Sequence, residues 1–305
     1  MKDESGVNRR TFIKSFGVAG LCLTGAGMPM PIEAAASSKA EGLVDVNVTL
    51  MRWPMRRLRL DDPEKLAQAL RKKGVTEAWA CTFEALLERD LAAANERLSR
   101  VCKSVGGGLF VPFGAVNPAQ PWWREDVQRC QEKHRMAGIR LYPGYHGYNV
   151  DDANCTELLR ECASRNLIVQ IVATVEDVRV QQPRMKAAPV DLKPLSGILA
   201  SEPALKLVLL NWNRSLSAKL AAPLVSSGRV WVDIATQETV GGVESLLQQV
   251  PARAVVFGSH CPYYYFESAL LKLRESEIKP GDLARIRRLN AAAISAHKNQ
   301  TTDCH

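Results

Sequence analysis

An eight-stranded (β/α)8 TIM barrel, in the α/β class, is the fold this sequence predicts, and three observations lead to it. From residue 43 onward, eight short apolar runs alternate with longer segments of helical periodicity. That is the pattern of a parallel sheet whose strands are joined by crossover helices. Residues 37–305 come close to the roughly 250 residues of a single barrel. No Gly-x-Gly-x-x-Gly follows the first run, which argues against a dinucleotide-binding sheet. An open doubly wound sheet stays the alternative from the alternation alone.

The strands are expected, in order, at Val44 to Leu50, Val75 to Thr82, Leu109 to Val116, Gly138 to Tyr142, Leu167 to Val172, Leu205 to Asn211, Val230 to Ile234 and Ala254 to Phe257. The helices between them carry their own punctuation. Asp62 and Pro63 supply an N-cap and first turn, and Lys73-Gly74 closes the same helix. Asp151-Asp152 opens another, with Leu158, Leu159 and Cys162 at helical spacing. The segment from Val178 to Pro194 holds three prolines and several basic residues, and reads as an extended loop over the barrel mouth. A last helix is expected from Asp282 to His297, packed outside the barrel.

The first 36 residues read as an address. Asn8-Arg9-Arg10-Thr11-Phe12-Ile13-Lys14 resembles the twin-arginine export consensus, a glycine-containing apolar run follows from Phe16 to Met28, and Ala34-Ala35-Ala36 offers a cleavage site before Ser37. Residues 1–36 are therefore expected to be a twin-arginine signal peptide recognised by the Tat translocase. Residues 37–305 would then be the barrel, periplasmic or extracellular. The apolar run is too short and too rich in glycine for a ~20-residue span, so no stable membrane anchor is expected.

The formal net charge is +8. Much of the excess sits in Arg52, Arg56, Arg57 and Arg59, directly after the first strand. Without a long basic run, an aromatic platform or a known motif, nucleic acid is not an expected partner. A small anionic ligand, or plain solubility, accounts for the charge. The eight cysteines include no C-x-x-C. Cys155 and Cys162 lie two helical turns apart, roughly 10 Å, too far to bridge. They read as core filler.

The candidate site follows from strand ends. Val255-Val256-Phe257 forms a buried strand that Gly258-Ser259 turns, so that His260 projects at the C-terminal end, where barrels keep their chemistry. In Asp45-Val46-Asn47-Val48-Thr49, alternation puts Asp45, Asn47 and Thr49 on one side and the valines on the other. Arg140 in Gly138-Ile139-Arg140-Leu141-Tyr142-Pro143 faces the lumen. There it either clamps a carboxylate or pairs with Asp45 or Asp233. Asn211 ends strand six. His146 lies on the Tyr145-His146-Gly147 loop, Asp177 and Arg179 follow strand five, and Trp53 offers a pocket wall. Cys81 and Cys261 lie near strand ends as alternative nucleophiles.

These runs, with Asn290-Ala291 near the C-terminus, resemble the amidohydrolase superfamily, specifically its amidohydrolase-related branch, which includes aminocarboxymuconate-semialdehyde-decarboxylase-like enzymes. The run Gly258-Ser259-His260-Cys261-Pro262 is similar to that branch's "GSD.P", with His260 in the place of a metal-binding aspartate. Strand one resembles its "D-x-H-x-H", with Asn47 and Thr49 in the histidine places, and Asn211 stands where strand six ends in histidine. The resemblance implies hydrolysis or a related lyase step on a small anionic metabolite. The replacements imply that it proceeds with no metal or other cofactor. His260 and His146 would be acid–base groups, while Arg140, Asn47, Thr49, Asn211, Trp53, Asp177 and Arg179 would contact the substrate. A ligand-binding pseudoenzyme and a metallohydrolase with a relocated metal site are the alternatives.

Overall fold

A computed structural model describes residues 42–183 and 185–299. The expected export segment lies outside the described residues. Eight strands are present: β1 (Leu43–Leu50), β2 (Val75–Thr82), β3 (Phe110–Ala115), β4 (Gly138–Leu141), β5 (Ile168–Val172), β6 (Lys206–Leu210), β7 (Val230–Asp233) and β8 (Val255–Val256). They pair in sequence order, every pair parallel. The ring closes through a bridge between Val48 and Cys261 and through Val46 N–H and Thr49 N–H, which donate to Phe257 O and Cys261 O at 3.0 Å each. Helices alternate with the strands, so the architecture is the expected (β/α)8 barrel.

Strand alternation sorts the core into two layers. Ala78, Ala80, Ile139, Val169, Ile171, Leu207, Leu209, Val230 and Val232 pack with the surrounding helices. Trp79, Phe113, Ile168, Val208, Trp231 and Val256 fill the interior. The strict alternation expected for β1 does not hold. A register shift between Asp45 and Val48 inserts an extra residue against β2. Val44 and Val46 accordingly join the interior cluster, whereas Leu43, Val48 and Leu50 face the helices. Such a bulge re-aims side chains locally, which is how Asn47 and Thr49 can both reach interior partners.

The helix Pro63–Lys72 begins as expected, with the Asp62 side chain accepting from Lys65 N–H at 2.9 Å. It ends at Gly74, whose φ of +83° only glycine adopts without strain. The helix Ala153–Ser164 has no side-chain cap, because the Asp152 carboxylate accepts from Asn149 N–H instead. The terminal helix departs further from expectation. It runs as Pro280–Ala284, a π turn at Arg285–Leu289, then Asn290–Asn299. Ile286 O accepts from Phe257 N–H at 3.0 Å, and Asn290 Nδ2 donates to Ala252 O and Val255 O at 2.7 Å. Ala291 and Ile294 belong to the interior cluster. The segment thus packs in the helix-side layer through Ile286 and reaches the interior cluster through Ala291 and Ile294, and its backbone and Asn290 satisfy polar groups that the two-residue β8 leaves unpaired.

The six described cysteines are buried free thiols. Among the described residues no helix is long and apolar enough to cross a membrane.

Candidate functional site at the C-terminal mouth

The C-terminal ends of β1, β6, β7 and β8 converge on a buried polar cluster. Asn47 Nδ2 donates to Asn211 Oδ1 at 2.9 Å and to Asp233 Oδ2 at 2.7 Å. Asp233 Oδ1 accepts from Asn211 N–H at 3.0 Å. Asn211 Nδ2 donates to Thr174 O at 2.8 Å. The other half is built on Asp45, whose oxygens accept from Asn47 N–H and Ser259 N–H at 3.0 Å each and from the Ser259 hydroxyl. Asn211 and His260 turn the chain with φ of +53° and +57°. This is a left-handed conformation in which Asn and His are enriched among non-glycine residues. Gly258 lets β8 approach, since a Cβ there would lie 2.7 Å from Asp233 Oδ2 and 3.0 Å from Asn47 Cβ.

Burial sets the electrostatics. Removal from water pushes the Asp45 carboxyl up to about 6, against the opposing effect of its donors and the Arg140 charge. Asp233 rises to about 7 for the same reason, opposed by Asn47 and the Asn211 backbone. Two buried carboxyl groups thus titrate near neutrality, where one can hold a proton that an ordinary aspartate would have lost.

His260, expected to project at the strand end, is instead buried in the wall of the mouth at 3 % exposure. Its Nε2 is 2.7 Å from Val175 O, and because a carbonyl only accepts, that nitrogen carries the proton. Its Nδ1 is buried without a partner among the described residues. Burial drops its pKa to about 4, so the ring is neutral at pH 7. His146 is half-buried on the other side of the mouth. Its Nε2 donates to Ala85 O at 2.8 Å, and its ring packs on Tyr142 and Tyr148. None of these contacts belongs to the polar cluster.

Arg140 is fully buried, and the clamp expected of it gives way to a cross-brace. Nε donates to Gln170 Oε1 at 2.6 Å, Nη1 to Val48 O at 2.9 Å and Thr49 Oγ1 at 3.3 Å, and Nη2 to Trp79 O at 3.1 Å and Val46 O at 3.4 Å. Its donors are consumed by β1, β2 and Gln170 on β5. No direct ion pair joins it to Asp45 or Asp233 among the described residues. Asp177 and Arg179 form a surface pair that Arg214 and Glu238 extend, which holds the Asp177 carboxyl well below the usual range. That chain lies on the rim, apart from the cluster. Trp53 is buried edge-on to Phe83 and Tyr263, at 5.2 Å each, as part of an aromatic plug. The plug's inner acid, Glu176, accepts from Tyr145 and Tyr263 hydroxyls at 2.8 and 3.2 Å. Burial pushes the Cys81 and Cys261 thiols up, opposite to what a thiolate nucleophile needs.

Sequence reading missed Asp233, Ser259, Gln170 and Glu176 as members of the site. Asp233 had a signal, an acid ending the buried run Val230-Trp231-Val232. Ser259 reads only as a turn residue until β8 is placed beside β1.

A family model described as Amidohydrolase matches residues 51–294. No curated protein matches the chain by sequence. By structure the chain is similar to 2,6-dihydroxybenzoate decarboxylase from Rhizobium, at TM-score 0.68 and 12% identity over 84% of this chain and 99% of that one. It is similar to 5-carboxyvanillate decarboxylase from Sphingomonas paucimobilis at TM-score 0.66 and 13% identity, over 84% and 99% of the two chains. A dihydroxybenzoic acid decarboxylase from Polaromonas sp. JS666, with bound manganese and the inhibitor 2-nitroresorcinol, gives 0.64 and 13% over 84% and 97%. At these identities the likeness is one of fold.

The strand-end side chains do not fit a divalent ion such as that manganese. Asn47 presents N–H groups, not lone pairs, to Asp233 and Asn211. Both oxygens of Asp45 and of Asp233 already accept hydrogen bonds, and His260 spends Nε2 on a carbonyl. A catalytic metal needs three or more converging anionic or imidazole donors, and no such group exists among the described residues.

Proposed function

This chain belongs to the Amidohydrolase family, and from that premise we propose that it acts on a small aromatic carboxylate by metal-independent, lyase-type chemistry at the C-terminal mouth. The observation that carries this reading is the Asp45–Ser259 and Asn47–Asp233–Asn211 cluster, where an amide replaces a cation and Asp233, raised to about 7, can hold a proton at neutral pH. In a decarboxylation the C–C bond to the carboxylate breaks, CO2 leaves, the bonding pair stays on the ring carbon, and that carbon takes a proton. Asp233 is the proposed donor of that proton. Asn47, Asn211 and Thr49 would orient the substrate, and the unpartnered Nδ1 of His260 would accept from a substrate hydroxyl. The decarboxylase activity of the similar structures supports the reaction class.

A second reading, ligand binding without turnover, is favoured by burial, since Asn47, Asn211, Asp233 and His260 are each at most 3 % exposed. Chromatography of 2,6-dihydroxybenzoate and 5-carboxyvanillate incubated with the protein separates the two. We expect substrate loss that chelator leaves unchanged and Asp233→Asn reduces at least about a hundredfold, the scale of general-acid catalysis. Turnover only after manganese is added would overturn the reading. Binding without turnover would select the second.

We also infer twin-arginine export, on the Arg9-Arg10 sequence and the Ala34-Ala35-Ala36 site. Replacing Arg9 and Arg10 together by Lys is expected to leave the unprocessed precursor in the cytoplasm by fractionation and immunoblot. Unchanged processing would contradict it.

A further inference from the structure

The arginines after β1 are not explained by the interior cluster. Arg57 is held by Asp61, Nε at 2.6 Å and Nη2 at 3.1 Å. Arg56 and Arg59 are different. They flank a groove of about 270 Å³ that lies between the β1 loop and the loop after β8, with Leu58, Tyr263, Tyr264 and Phe266 among its walls. Neither arginine has an acidic partner within ion-pair distance among the described residues. The one acid on the groove, Glu267, is taken by Lys73 at 2.9 Å. Two guanidinium groups therefore stand over a half-apolar hollow without a direct ion pair, Arg59 acting on Glu267 only at longer range.

The aromatic wall is held in place. Tyr263 packs edge-on to the buried Trp53, and its hydroxyl donates to Glu176. Tyr264 meets the His260 ring edge-on at 5.1 Å. The Arg56 guanidinium lies 5.4 Å from the Tyr263 ring centroid, a cation–π placement that presents its remaining donors rather than letting them roam. Drug-sized ligands occupy pockets of roughly 300–1,000 Å³, so this hollow suits a single ring bearing one acidic group.

We propose that this groove is a binding site for a one-ring aromatic carboxylate, with Arg59 and Arg56 engaging the carboxylate and the ring packing against Tyr263 and Tyr264. The site is on the outer rim, and its residues are not those of the Asp233 cluster. The choice of ligand class rests on the proposed function, whereas the existence of an anion site does not. It gives the excess positive charge of the β1 loop a specific use, holding an anion at the edge of a mouth whose polar interior is buried.

Calorimetric titration of 2-hydroxybenzoate into the protein at low ionic strength tests this, with cyclohexanol as the uncharged control. Saturable binding of the acid alone is expected, weakened about tenfold or more by Arg59→Ala and by Arg56→Ala, as for loss of a charge-assisted contact, and unchanged by Asp233→Asn. The thermal midpoints of the two arginine variants should stay at the wild-type value, because both side chains are exposed. Absence of binding, or equal binding of the alcohol, would overturn the site. So would binding that both arginine variants retain and Asp233→Asn removes, an outcome that leaves the proposed function standing. Manganese-dependent turnover with groove binding intact would instead remove the proposed function and keep the site.

Discussion

Replacing Arg140 by Leu is expected to cost about 3–5 kcal/mol of folding stability, read from urea denaturation followed by circular dichroism. The guanidinium ties β4 to Gln170 on β5, to the Val46 and Val48 carbonyls on β1 and to the Trp79 carbonyl on β2. A leucine fills much of the volume but returns none of those donors, and buried carbonyls without partners cost about 1–3 kcal/mol each. Lys is not expected to rescue, because a single ammonium cannot reproduce a planar fork aimed at two strands at once. A leucine variant with an unchanged denaturation midpoint would show that Arg140 does not brace the barrel.

Asn47→Leu is expected to cost about 2–5 kcal/mol, because it strips a donor from Asp233 Oδ2 and from Asn211 Oδ1, both buried. The loss also has a pH signature. The folded-state pKa of Asp233 is raised above its unfolded value, so its contribution to stability is greatest at low pH and falls as pH rises through about 7. Asn47 opposes that rise by hydrogen-bonding the ionised form. Without it the pKa climbs further, and the deficit of the variant relative to wild type should be larger at pH 8 than at pH 5. Thermal melts of both proteins at the two pH values measure this. A deficit independent of pH would mean that Asn47 fills space rather than stabilising the carboxylate.

The strands were legible because each is a short apolar run flanked by polar turns, and hydrophobic periodicity reports burial directly. Their limits were legible to within one residue at each end; at β8 the two expected residues outside the strand, Ala254 and Phe257, find their N–H partners outside the ladder. The site was legible as a set of positions but not as a set of contacts. Asn47 and Asn211 were identified by where their strands end, and they do meet, at 2.9 Å. Arg140 was identified as interior, yet nothing local could say that the β1 bulge would turn two carbonyls toward it. His260 was identified at a strand end, and its burial depends on Val175, distant in sequence.

By itself the sequence determined the alternation of strand and helix, a length that suits a single parallel barrel, the absence of imidazoles at Asn47, Thr49 and Asn211 on strands one and six, and the arginine-rich loop after β1. These are properties of composition and spacing along the chain. The tertiary structure decided that Asn47 donates to Asp233, that Ser259 satisfies Asp45, that Arg140 braces strands rather than facing a ligand, and that Arg56 and Arg59 flank a tyrosine-walled groove. Hydrogen-bond partners and ionisation depend on distance and on exclusion of water, and both are set only when residues from opposite ends of the chain are packed side by side.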